Sequence, residues 1–341
     1  MKAGIFYGKG DCRVENVAIP EIAVHEVLIK VKYCGVCGTD MHIHSGAEGS
    51  AKVTPPVILG HEFAGEVIRV GELVKNLKAG DRVSVDPNMT CGCCRYCRNG
   101  KVHLCERLQA VGVTQNGGFA EYCAVPYPQA YPIDAALDYI QGAFVEPVAC
   151  CIHGIDLTGI QTGDTVMIIG GGTIGLIMLQ LAKLAGAARV VLVEPVAAKR
   201  DKAKELGADW VIDPDDAAGL GAFMAQTNGG ADVSIECVGK PATIVQAIKN
   251  TAKGGTILVF GVAAPDARIP VSPFEFFQRE LTLKTSFVNP FTHRRAIQML
   301  AAKKINVERL VAQVFPLDEL PQVFTMHELL AQGKVMIQPG T

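Results

Sequence analysis

"TVMIIGGGTIGLIMLQLA", residues 165–182, is the longest uncharged run in the chain. Its length is that of a minimal membrane span. Three consecutive glycines, Gly170 to Gly172, sit inside it. They favour a buried strand, a glycine turn and a buried helix. Gly170, Gly172 and Gly175 stand at the G-x-G-x-x-G spacing. That motif is weak alone and gains weight from a preceding strand and a following helix. Gly170 would make the tight turn, and Gly172 would let the backbone approach a pyrophosphate. Gly175 would let helix and strand pack closely, and the helix N-terminus would face the phosphates. Glu194 ends the next strand, about 20 residues on. Its carboxylate can accept from a ribose 2′-hydroxyl and would repel a 2′-phosphate, which favours NAD over NADP. Lys199 and Arg200 pull the other way, because cations near the ribose tolerate a phosphate. A glycine turn with no ligand is the plain alternative.

Working outward, strands and helices alternate. A helical stretch over Ile174–Ala187 is followed by "RVVLVEP", a helix through Lys199–Leu206 and "DWVID". "ADVSIEC" and "GGTILVFG" come later, with the helix "PATIVQAIKN" between them. This is the pattern of βαβ units and a doubly wound parallel sheet. The strands are apolar throughout, as strands covered on both faces should be. Residues 1–145 have another texture. Short runs such as "EVLIKVKYC", "FAGEVIRVG" and "DRVSVDP" are separated by turn signals such as "KAGD" and "QNGG". They predict a compact all-β region. After "LTLKTSFV", helical stretches near 292–303 and 317–331 form a tail too short for its own domain. It is expected to return to the first one.

The 341 residues suggest about two domains. Hydrophobic residues make up 49% and charged residues 19%, which excludes global disorder. Net charge is −2 with lysine and arginine spread along the chain, which argues against the basic face a nucleic-acid partner would need. The opening "MKAGIFYGKGDCRVEN" lacks the apolar core of a signal peptide. The expectation is a soluble, cytoplasmic protein with no membrane partner.

Twelve cysteines need a reason. Five of them fall in "CGCCRYCRNGKVHLC", residues 91–105. A chain this long does not need disulfides to fold, so clustered thiols favour a metal. Cys91, Cys94, Cys97 and Cys105, at intervals of three, three and eight, can wrap one ion tetrahedrally. Four thiolates close the shell and make such a zinc site structural. Cys93 is a surplus thiol that leaves a second register open through Cys93 and Cys97. Free thiols and an iron–sulfur cluster are the alternatives.

A second set mixes donor types: "GVCGTDMH" with Cys37, Thr39, Asp40 and His42, "GHEFAGEV" with His61 and Glu62, and "FVEPVACC" with Glu146. Cysteine, histidine and carboxylate suit a zinc site that keeps one position open. Each element alone has a packing explanation. His44, His103 and His153 are left under that explanation, and Glu146 could be a structural carboxylate at a domain junction.

Together with "GGFAEYCAVP", "GGGTIG" and "ADVSIECVG", these motifs make the chain resemble the zinc-dependent medium-chain dehydrogenase/reductase family over essentially its whole length. The "CGTDMH" and "GHE … VEP" elements look like its polyol (sorbitol/L-iditol-type) branch, close to L-threonine 3-dehydrogenase. The resemblance implies an α/β protein with an all-β-rich, GroES-like catalytic domain and a doubly wound parallel Rossmann domain. It places the first at residues 1–147 and 289–341, with the cysteine lobe near 88–108, and the second at 148–288. The active site would lie in the cleft between them. Two zinc ions per chain and NAD are implied. Cys37, His61 and Glu62 would ligate the catalytic zinc, and Glu146 would bind it directly or through water. Thr39 would accept the proton of the substrate hydroxyl, and His42 would carry it onward through the cofactor ribose. The cofactor side would include Thr173, Ile174, Lys199 and Phe287 beside the three glycines and Glu194. The implied reaction is hydride transfer from a secondary alcohol of a polyol to NAD, giving a ketose. L-threonine and 2,3-butanediol are alternative substrates, and a zinc-free binding protein is the non-enzymatic alternative. Sorbitol dehydrogenases tend to carry an arginine after the phenylalanine matching Phe287, whereas this chain has Val288 and lacks that substrate-side guanidinium, which points to a different substrate range. Tetramers are common in the branch, so a homotetramer is expected.

Overall fold

The computed structural model of the chain describes residues 1–47 and 52–340. They divide into two compact units, residues 1–149 with 289–340 and residues 150–288.

Unit 1 opens with strands β1 (Lys2–Gly8), β2 (Asp11–Asn16) and β3 (Glu26–Gly35). The short helix α1 (Gly38–His44) follows, then β4 (Val57–Ile58), β5 (Glu62–Val70) and β6 (Arg82–Val85). Next come β7 (Asn88–Met89), helix α2 (Arg95–Arg98), β8 (Gln109–Ala110), β9 (Tyr122–Pro126) and β10 (Ala130–Pro132). One sheet has the order β2-β1-β4, and β7 and β8 form a ribbon that flanks the cysteine lobe. Helices α3 (Tyr139–Ala143) and α4 (Val145–Thr158) come next, and the unit boundary falls within α4. The predicted all-β region therefore contains helices. α4 eluded the sequence because "VEPVACCIHGIDLT" is apolar on nearly every side, so no 3.6-residue stripe stands out.

Unit 2 is a six-stranded, all-parallel sheet. Its elements are β11 (Thr165–Ile169), α5 (Thr173–Leu184), β12 (Arg189–Val193), α6 (Ala197–Glu205), β13 (Trp210–Ile212), α7 (Ala217–Gln226), β14 (Ala231–Glu236), α8 (Pro241–Asn250), β15 (Thr251–Val259), α9 (Pro273–Arg279) and β16 (Thr282–Thr285). The strand order is β13-β12-β11-β14-β15-β16, so the direction of winding reverses between β11 and β14. In such sheets a nucleotide sits outside the carboxyl ends of the strands at that switch point. Val166, Met167, Ile168 and Ile169 of β11 are all buried, as the apolar run requires.

The chain re-enters unit 1 at Asn289 and adds α10 (His293–Ala301), β17 (Val311–Pro316), α11 (Leu320–Val323), α12 (His327–Gln332) and β18 (Lys334–Gln338). The helix expected over 317–331 is broken. Pro321 sits in the first turn of α11, and residues 324–326 leave the helix. β18 inserts beside β3, so the larger sheet runs β10-β6-β5-β3-β18-β17, with β9 also paired to β3. No helix among the described residues is long and apolar enough to cross a membrane. The uncharged run 165–182 forms β11, its glycine turn and most of α5.

Candidate active site

The open-site residues converge at the end of β3 and the start of β5. Cys37 caps α1, and Asp40 one turn later accepts the Cys37 backbone N–H at 2.9 Å. His61 and Glu62 follow Gly60, whose φ of +93° makes the turn into β5. The segment "QNGG", read as a plain turn, lies against this corner. Gly118 N–H donates to the Gly60 carbonyl at 2.7 Å and Gly117 N–H to that of Ile58 at 2.8 Å. A Cβ on Gly112 or Gly117 would collide with Gly60.

This places one donor atom each of Cys37, His61 and Glu62 within 4.8 Å of one another. His61 and Glu62 are buried, and Cys37 is partly exposed. Glu146 is buried in the first turn of α4 and stands outside that trio. Asp40 is fully buried, with Oδ1 3.4 Å from His61 Nδ1. Neither of those two atoms has a well-aligned hydrogen bond. Burial lowers the His61 pKa, but the Asp40 carboxylate and Cys37 beside it win and raise it well above the usual value. The surroundings of the imidazole thus favour positive charge at this place. A divalent ion fits here, since it binds neutral imidazole, thiolate and carboxylate. Asp40 then has the outer role of orienting the ring. Thr39 and His42 are partly exposed and sit three residues apart on α1, hence on one face. His44 stacks on Phe324 with ring centroids 4.6 Å apart, a packing role.

Sequence reasoning missed Lys334 at the start of β18. Its Nζ donates to both Glu62 carboxylate oxygens, at 2.8 and 2.6 Å. Burial opposes its charge, yet the neighbouring Glu62 and Cys37, and more weakly Glu146, raise its pKa above the ordinary lysine value. No local motif marks it, because its partner is 272 residues away.

The cysteine lobe gathers Cys91, Cys94, Cys97 and Cys105, again with Sγ atoms within 4.8 Å of one another. Cys94 and Cys97 are 3.5 Å apart and Cys91 and Cys97 are 4.0 Å apart. The edge of a tetrahedron with zinc–sulfur bonds of about 2.3 Å is about 3.8 Å. Backbone N–H groups point at the sulfurs. Those of Cys93 and Cys94 lower the Cys91 pKa to about 5, while burial and the neighbouring Cys94 push Cys97 up to about 12. Cys93 is exposed and accepts from Arg107 Nη2 at 2.8 Å.

In unit 2, Gly170 has a φ of +102°, and a Cβ on Gly175 would collide with the Gly170 carbonyl oxygen. Gly172 is different. Its backbone is extended, and a Cβ there meets no atom within 4 Å. Protein packing leaves the space above it open, and no side chain caps the first turn of α5, where Thr173 and Ile174 stand. That fits a phosphate group. Glu194 is buried, with Oε2 accepting from Gly171 N–H at 2.7 Å and Oε1 from Val196 N–H at 3.0 Å. It therefore shapes the glycine turn. Arg200 is committed: one Nη1 donates to the Glu194 and Pro195 carbonyls and to Asp213 Oδ2. Only Lys199, 3.9 Å from Glu194 Oε1, remains as the cation expected near a 2′-phosphate. Phe287 is 38% exposed at the end of unit 2.

The alcohol dehydrogenase GroES-like domain matches residues 23–135, and the zinc-binding dehydrogenase domain matches residues 173–302. The chain belongs to the zinc-dependent medium-chain dehydrogenase/reductase family. It is 38% identical to D-arabinitol dehydrogenase 1 of Uromyces fabae, over 98% of this chain and 97% of that protein. It is 33% identical to L-threonine 3-dehydrogenase of Bacillus licheniformis, over 97% and 96%. A solved structure described as a zinc-binding dehydrogenase from Sinorhizobium meliloti, with NADP bound, is 42% identical, covers 99% of each chain and superposes with a TM-score of 0.95. This family membership makes the chain a zinc and nicotinamide-nucleotide oxidoreductase acting on alcohols.

Proposed function

We propose that this dehydrogenase oxidises a secondary alcohol of a polyol to a ketose, with NAD as acceptor and two zinc ions per chain. The observation that carries the reading is the buried meeting of a thiol, an imidazole and a carboxylate from Cys37, His61 and Glu62. When bound, zinc supplies Lewis acidity at the substrate hydroxyl and the nicotinamide supplies the hydride acceptor. The protein does the rest. Asp40 fixes the His61 ring. Thr39 accepts the hydroxyl proton and passes its own to His42 one turn along α1. Glu146 supports the metal directly or through water. The second ion, at Cys91, Cys94, Cys97 and Cys105, holds the lobe together.

Glu194 supports NAD, since its buried carboxylate would meet a 2′-phosphate with charge repulsion and Arg200 is already engaged. The Sinorhizobium protein holds NADP, and the test therefore runs both nucleotides. The kinship with L-threonine 3-dehydrogenase keeps L-threonine among the candidate substrates. We read the enzyme as a cytoplasmic homotetramer. Phe274 and Phe277, exposed by 67% and 82% on α9, the helix that precedes the edge strand β16 in the chain, support assembly.

The test is a substrate panel of polyols, sugar phosphates, L-threonine and 2,3-butanediol, followed by reduced-nucleotide absorbance with NAD and NADP in parallel. A polyol with NAD should give the highest kcat/KM. Turnover confined to L-threonine, or equal kcat/KM with both nucleotides, would contradict the assignment.

A further inference from the structure

Among the described residues, Lys334 is the one lysine or arginine that is buried. Lysine is almost never buried unpaired. Here its three donors have three acceptors: both oxygens of Glu62 and the Val36 carbonyl at 3.2 Å. The local structure is built around this pair. β18 lies antiparallel beside the end of β3, where Gly35 pairs with Glu62 of β5. A Cβ on Gly35 would collide with Glu62 Oε2 and press on Lys334 Cδ at 3.3 Å. Glycine at that position leaves the room the pair occupies.

The same Glu62 carboxylate offers one of the three donor atoms at the proposed zinc site. Two effects of Lys334 oppose a strong Glu62–metal bond. Lone pairs that accept from an ammonium are less available to an ion. A positive charge close to a dication also repels it. Counting charges points the same way. The Cys37 thiolate with the Asp40, Glu62 and Glu146 carboxylates makes four negative charges; a dication offsets two and Lys334 a third, so compensation does not fall to the ion alone.

We propose that Lys334 is a positioning residue that keeps Glu62 the weak, exchangeable ligand of the zinc site. Cys37 and His61 hold the ion, and Glu62 yields its place when a substrate oxygen competes. This rests on the reading of Cys37, His61 and Glu62 as the catalytic zinc site.

The experiment compares wild type, Lys334→Met and Lys334→Arg, as purified holoenzyme, for zinc release to a competing chelator. Removing an outer-shell partner ordinarily costs about 10–100-fold in metal affinity. Here the sign should reverse. Left without its cation in a buried place, Glu62 turns to the ion, and the catalytic zinc of Lys334→Met should be held about tenfold or more tighter. The lobe zinc should be unchanged. kcat should fall with the KM for NAD unmoved, and Lys334→Arg should restore both readouts toward wild type. In cobalt-substituted Lys334→Met, the visible spectrum should respond less to added substrate than in wild type. Unchanged or weaker zinc affinity in folded Lys334→Met overturns the proposal. If that variant does not fold, the double variant Glu62→Gln/Lys334→Met removes both charges together. It should keep its catalytic zinc to within about tenfold of wild type, the scale of an outer-shell effect. Zinc loss as complete as in Cys37→Ser would show Glu62 to be a full-strength ligand and overturn the idea. The underlying reading fails separately if Cys37→Ser in the wild-type background loses no zinc.

Discussion

At the scale of single residues, His293 shows what burial alone does to a side chain. It is fully buried on α10, with Nε2 3.1 Å from Ser84 Oγ and its ring 4.8 Å from that of Tyr131. Burial pushes its pKa down to about 3. The unfolded chain titrates this histidine near pH 6.5. Between those values the unfolded state binds the extra proton. Stability is therefore full above about pH 6.5 and drains away as pH falls toward 3, by about 1.4 kcal/mol per unit. His293→Gln should flatten the fall in melting temperature between pH 7 and pH 5. Metal loss in acid affects both proteins alike and cancels in the comparison. Parallel curves for the two proteins would refute the assignment. The sequence carried the chemical identity of the site residues, because cysteine, histidine and carboxylate at close spacing are rare and specific. It could not carry their partners. Nothing local marks Lys334 as the mate of Glu62, or Arg200 as spoken for by Asp213. The first contact joins residues 272 apart in the chain, and the second needs the end of β13 folded back beside α6.

At the scale of elements, the β11–α5 turn separates two uses of glycine that the motif merges. Gly175 is required by the fold, since a methyl group there meets the Gly170 carbonyl. Gly172 is not, since a methyl group there meets nothing and its φ of −76° suits any residue. Gly175→Ala should lower stability by about 1–3 kcal/mol, the usual cost of overpacking. Gly172→Ala should melt like wild type yet bind NAD more weakly. Thermal melts with and without NAD distinguish the two, and a Gly172→Ala protein with undiminished nucleotide stabilisation would show that no phosphate approaches there. The alternating strands and helices of unit 2 were legible because strands such as β11 and β12 are apolar and bounded by turn residues. Elsewhere the period fails. "AAGLGAFMAQ" forms α7 despite two glycines, held by an Asp216 cap and by Phe223, which is fully buried. β18 was missed because "KVMIQ" is five residues with no turn signal before it except Gly333.

At the scale of the whole molecule, both candidate metal centres lie in unit 1 and the glycine turn lies in unit 2. The two centres differ in kind. One has mixed donors, and the other has four thiols on a lobe of little more than α2 and the β7–β8 ribbon. Cys37→Ser should yield a folded, inactive protein with one zinc. Cys97→Ser should lower thermal stability, because a structural ion contributes folding energy directly. Metal analysis of the fully loaded wild type should find two zinc ions per chain, and a single one would refute the pairing of roles. The chain order of unit 1 has a further consequence for how the enzyme is made. At about 5–20 residues per second, the 272 residues between Glu62 and Lys334 take roughly 15–50 s to synthesise. Through that interval the nascent chain carries Cys37, His61 and Glu62 without the cation that restrains Glu62, while unit 2 is translated as one uninterrupted block. A metal ion captured on the ribosome would meet a stronger carboxylate ligand than the finished enzyme offers. Selection of the right metal would then fall to the moment β18 takes its place beside β3.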